Sequence, residues 1–257
     1  MEIVLVSLAS FALSILTFFS GFGLGTLLTP VFMLFFPVEL AIALTGVVHF
    51  FNNLFKLLLV GRKADRDVLI RFGIPAVIAA LAGSWLLLHI PNQKPLYSYQ
   101  IGASQYNIYI VKFIISILLL LFVCIDFIPA FNKIQFDRNK LPLGGVLSGF
   151  FGGLSGNQGA LRAAFLMKAG LSKESFIATT VVVSTFVDLT RLSVYSTRFN
   201  NSGLTDNLSM VLGATLAGIA GSYAGNKLLK KIKIEWMQVL VAIMLIALSV
   251  ALGLGLI

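Results

Sequence analysis

The chain is built from apolar runs that recur from one end of the sequence to the other. Each is about 18–23 residues long, the length that carries an α-helix across a hydrocarbon core roughly 30 Å thick. Lipid offers no partner for backbone N–H and C=O groups, so such runs must satisfy them internally as helices. The predicted class is therefore all-α: a polytopic integral membrane protein. Composition agrees, since 257 residues with 58% hydrophobic and 11% charged content cannot form one soluble globule with a polar skin. The longest polar connection, 91–107, is too short to bury a core of its own. The opening MEIVLVSLAS has no Lys/Arg-rich leader and no small-residue cleavage site before Gly21, and reads as a retained span. The single cysteine, Cys124, and the two histidines predict neither an internal disulfide nor a metal cluster, and no cofactor is expected.

Net charge is +9, from 19 Lys and Arg against 10 Asp and Glu. In a membrane protein such a balance reports orientation, and no nucleic-acid partner is inferred from it. Arg62, Lys63, Arg66 and Arg71 occupy one connection, Lys133, Arg138 and Lys140 a second, and Lys227, Lys230, Lys231 and Lys233 a third. All three are expected in the cytoplasm, whereas 91–107 and the connection around 200–206 face the other side. Full spans fall at 39–60, 68–90, 108–130, 174–196, 207–229 and 235–256, which leaves 3–36 and 141–170 over. If those two segments each crossed once, the lysine-rich loop near residue 230 would lie outside. If each enters, turns at its glycines and leaves by the same face, the three basic loops fall together. The hairpin reading also suits their lengths.

One hairpin and three crossings in each half predict two inverted repeats, 1–131 and 132–257, within one membrane domain. Internal similarity points the same way: NLFK at Asn53–Lys56 matches DLTR at Asp188–Arg191, and Ala82-Gly-Ser-Trp85 matches Ala220-Gly-Ser-Tyr223. Inverted repeats with paired broken helices are what alternating-access transporters use to expose one central site to either face.

The first broken element, SGFGLGTLLTP (20–30), the second, GGLSGNQGALRAAFLMKAGLSKESFIATT (152–180), and the AGSW/AGSY pair resemble the TauE/SafE family of sulfite exporters over nearly the whole chain. The resemblance implies export of a small sulfur-containing oxyanion, such as sulfite or an organosulfonate, across a bacterial inner membrane. The alternatives are an anion channel and a transporter of an unrelated small organic anion. The architecture is compatible with a homodimer.

The residues point to an anion independently. A helix that starts in mid-membrane turns unpaired N–H groups and a partial positive charge toward the break, and glycine lets a ligand approach that backbone closely. In the second break Gly156, Asn157, Gln158 and Gly159 precede a short helix, with Arg162 in its first turn. An arginine there opposes the dipole and adds about 2.5–3.5 kcal/mol on insertion scales. Either an anionic substrate visits it or it pairs permanently with Asp188. In the first break Gly23, Gly25 and Thr26 are the matching candidates, with close helix packing as the competing explanation.

Two polar stripes flank the breaks: His49, Asn52, Asn53 and Lys56 on one helix, and Thr180, Ser184, Asp188 and Arg191 on its repeat mate. His49 is a candidate carrier of a coupling proton or else a structural, hydrogen-bonded histidine. Lys56 and Arg191 are expected near opposite membrane ends, either as entrance residues for the anion or snorkelling to headgroups. The stripe Gly213, Ala217, Gly221 and Gly225 reads as helix packing, and Tyr97, Tyr99, Tyr106 and Tyr109 as marking the external interface. Enzyme chemistry has no foothold: HExxH, G-x-S-x-G and paired intramembrane carboxylates are all missing.

Overall fold

A computed structural model describes residues 2–20, 23–90, 94–127, 138–156, 158–167, 169–197, 205–228 and 234–256. Helices dominate it: α1 Glu2–Ser20, α2 Leu24–Met33, α3 Val38–Val60, α4 Arg66–His89, α5 Ile110–Phe127, α6 Leu141–Ser155, α7 Gly159–Leu166, α8 Lys173–Tyr195, α9 Leu208–Leu228 and α10 Ile234–Gly253. Within the described residues α3, α4, α8 and α9 supply the segments long and apolar enough to cross a bilayer. The protein is thus an all-α polytopic membrane protein. Its surface fits lipid, with Leu58, Ile70, Ile78, Phe186, Leu212 and Leu216 all exposed.

Both leftover segments break where glycine is required. Gly23 (φ 81°) precedes α2 and Gly156 (φ 76°) ends α6, and no L side chain adopts that backbone region cheaply. After the first break the chain doubles back, since Leu24 returns to Gly218, which also touches Ser14. After the second, Gln158 packs on Gly152 and Phe165 on Gly144, so α7 runs back along α6.

Each hairpin packs on a helix from the other half of the chain. Along α1 and α9, Gly213 meets Ser7, Gly218 meets Ser10, and Gly225 meets Ile15, so the two helices run parallel. Gly218 packs on α1 as well, beside the expected stripe. Along α4 and α6, Gly145 meets the Phe72 carbonyl, Gly149 that of Ala76 and Gly153 that of Ala80, again in parallel. These glycines admit a neighbouring backbone that any side chain would hold away. Helices α3 and α8 run antiparallel, with Gly46 against Leu192 and Asn53 against Asp188. So do α5 and α10, where Ser249 Oγ donates to the Ser116 carbonyl (2.7 Å) and Gly255 lies on Asn107.

The described basic residues of the three connections gather at one end. Arg138 Nη1 lies 3.4 Å from Asp67 Oδ2, and Lys63 and Lys227 line one vestibule. At the opposite end stands a small β-hairpin, β1 Tyr97–Ile101 and β2 Ser104–Ile108, turning at Gly102. Tyr97, Tyr99 and Tyr106 stack along one of its faces, and the Tyr99 hydroxyl donates to the Leu254 carbonyl (2.6 Å). The sequence marks this connection as an external interface, and the hairpin is an addition to that expectation: the alternating Tyr-Ser-Tyr-Gln-Ile before a glycine turn is its strand signal.

Candidate anion site

The two breaks meet at the centre of the molecule. A Cβ placed on Gly25 would stand 3.2 Å from the Gly156 carbonyl oxygen, so the loops touch backbone to backbone. Neither α2 nor α7 has a side-chain cap at its start. Among the described residues, no N-cap side chain accepts from the first N–H groups of either helix.

Helices α3 and α8 carry the polar side chains into this region, because antiparallel packing of two i, i+3, i+4, i+7 faces zips one stripe onto the other. Asp188 Oδ2 accepts from His49 Nδ1 (2.6 Å) and from Asn53 Nδ2 (3.2 Å), while its Oδ1 accepts from Arg191 Nε (3.0 Å). Both Asp188 and Arg191 are 0% exposed. Asn52 turns away from this cluster, and its Oδ1 accepts from Ser222 of α9 (2.7 Å).

This arrangement corrects two expectations. Arg191 is not at a membrane end: it is sealed in the centre, bound to Asp188, with its Nη1 only 2.8 Å from where a Gly156 Cβ would stand. A stripe read from sequence gives the face of a helix and leaves the depth open. Arg162 is also not the ion-pair partner of Asp188, whose oxygens are taken by His49, Asn53 and Arg191.

Arg162 is instead 1% exposed with Nε and Nη1 lacking hydrogen-bond partners, and its Nη2 lies 3.8 Å from the Cβ position of Gly23. It borders a narrow cavity of about 30 Å³, lined also by Thr17, Phe18, Gly23, His49, Asn53, Lys56, Thr180 and Ser184. That volume has room for about two water molecules. His49 bridges the two regions, with Nδ1 on Asp188 and Nε2 3.2 Å from the Cβ position of Gly23.

The other candidates divide. Gly23, His49, Asn53 and Lys56 reach the cavity. Gly25 and Gly156 form the contact between loops, and Thr26 is buried in the first turn of α2. Gln158 and Gly159 are buried at the start of α7, and the side chain of Gln158 packs on Gly152 away from the cavity. Asn157 lies outside the described residues. Sequence reasoning missed Tyr195, buried at 3% exposure, whose hydroxyl donates to the Gly153 carbonyl and ties α8 to the tip of α6. It lies four residues beyond Arg191 on the same face, a spacing that extends the stripe by one turn.

Neither a curated protein nor a solved structure matches the chain. The sequence does match the family described as Sulfite exporter TauE/SafE, over residues 6–252, which is a family of transporters and not of enzymes. With a match across nearly all of its length, this multi-pass membrane protein belongs to the TauE/SafE family of sulfite exporters.

Proposed function

We propose that the chain carries a small sulfur-containing anion, such as sulfite or an organosulfonate, by alternating access around the cavity between the starts of α2 and α7. The observation that carries this reading is Arg162, a guanidinium buried in the membrane interior without a carboxylate partner. An arginine in that setting is costly unless an anion joins it. Charge balance supports the same reading, since among the described residues Lys56, Arg162 and Arg191 are buried with a single buried carboxylate, Asp188. Two uncapped helix starts add electropositive backbone to the pocket.

The halves 1–131 and 132–257 act as inverted repeats in this proposal. Pairing α1 with α6, α2 with α7, α3 with α8, α4 with α9 and α5 with α10 exchanges the packed pair α1/α9 for α6/α4. It also makes the mates α3/α8 and α5/α10 antiparallel, as a two-fold axis in the membrane plane requires. The end bearing Lys63, Arg138 and Lys227 is cytoplasmic. His49, touching both Asp188 and the cavity, is the group placed to couple a proton to anion movement.

The test uses the purified full-length protein in detergent. Sulfite, thiosulfate and sulfonates should raise the unfolding temperature of the parent, and Arg162→Ala should fold but lose that response. A variant stabilised by these anions as well as the parent is would refute the site. Saturable counterflow in proteoliposomes would support a carrier, and non-saturating conductance a channel.

A further inference from the structure

The cavity beside Arg162 does not stand alone. Toward the end bearing the basic connections lies a vestibule of about 860 Å³, lined in part by Lys63, Lys173, Glu174 and Lys227. Phe18 and Ile177 line both spaces. Phe18 is 7% exposed, near the end of α1, and Lys56 Nζ sits 5.0 Å from the centre of its ring. Ile177 lies one helical turn into α8 beyond Lys173, while Ser184, deeper on the same helix, lines only the inner cavity.

The opposite side is closed by different chemistry. There Arg191 is locked to Asp188, Gly156 presses against the Arg191 guanidinium, and Tyr195 is bonded to Gly153. One barrier is therefore a buried ion pair with hydrogen bonds between α8 and α6. The other is a layer of two apolar side chains with a lysine resting on an aromatic face, a weaker hold than a buried ion pair. Arg191 is the residue that matches Lys56 in the repeated motif, so the two barriers occupy matching places.

We infer that Phe18, held by Lys56 and backed by Ile177, is the gate between the vestibule and the central cavity, and that in this conformation it is the barrier that yields first. Lysines around the vestibule raise the local anion concentration outside it. When the ring swings away, Lys56 is released from the aromatic face and becomes a charge for the entering anion. The inference builds on the proposed transport site, but its test reads geometry alone and needs no bound anion.

The experiment places Ser184→Cys in a Cys124→Ser background and measures its modification by a membrane-impermeant, negatively charged thiosulfonate, in vesicles exposing the basic-loop face. With Phe18 present, labelling should be slow. Phe18→Ala should speed it by at least an order of magnitude, and Phe18→Leu, a milder change that keeps an apolar side chain in α1, should give a smaller increase. Phe18→Trp should keep it slow. Tyr195→Phe, at the other barrier, should leave labelling from this face unchanged. Labelling that is already fast with Phe18 intact, or equally slow in Phe18→Ala and Phe18→Leu, would overturn the gate. Neither outcome would bear on anion binding at Arg162.

Discussion

Arg162, Arg191 and Asp188 show how differently buried charges of similar sequence context are used. Asp188 holds a histidine, an amide and a guanidinium at once, so it organises the crossing of α3 and α8. Asp188→Asn should leave Arg191 as an uncompensated buried cation and lower stability by about 3–5 kcal/mol, the usual penalty for removing one member of a buried pair. Thermal unfolding in detergent without added anion would measure it; an unchanged midpoint would mean that the pair contributes nothing to the fold. Arg162, without such a partner, should show little loss in the same assay. Sequence alone marked all three residues, because a charge within an apolar run is conspicuous. It could not rank them, since partner choice depends on which face of α3 meets which turn of α8.

At the scale of elements, the positions of the helices were almost wholly legible, because lipid imposes one length and one type of secondary structure. The expected spans 39–60, 68–90 and 174–196 became α3, α4 and α8. The helix breaks were legible as well, from glycines clustered inside segments too long for one span, although the sequence left close packing as a competing reason for those of the first break. What the pattern could not supply was the distance of each break from its neighbours. Gly156 combines a left-handed backbone with a guanidinium 2.8 Å from its Cβ position. Gly156→Ala should therefore strain the backbone by about 1–2 kcal/mol and push Arg191 off its place. Folded yield and thermal unfolding should both fall; a fully stable variant would show that the tip of α6 can shift freely.

For the whole molecule, orientation follows from where the loops gather. Pro37 caps the start of α3 and Lys173 begins α8, and these antiparallel mates put the two residues at opposite ends. In a Cys124→Ser background, Lys173→Cys should react with an impermeant thiol reagent from the cytoplasmic face only. Pro37→Cys and Gln100→Cys should react from the other face only. Reaction of positions 37 and 173 from one face would rule out the opposed halves. Charge counting predicts this arrangement, while the interlocking of α1 with α9 and of α4 with α6 lies beyond it, since glycine patterns declare that a helix has a close neighbour without naming it. That interlocking shapes how the protein is made. Because α1 rests on α9 and Ser10 donates to the carbonyl of Ala214, α1 waits through some two hundred residues of synthesis for its mate. Its serines meanwhile sit in lipid or translocon without that bond, so assembly is a late, chain-wide event, and a nascent chain halted halfway would have no finished half to show for it.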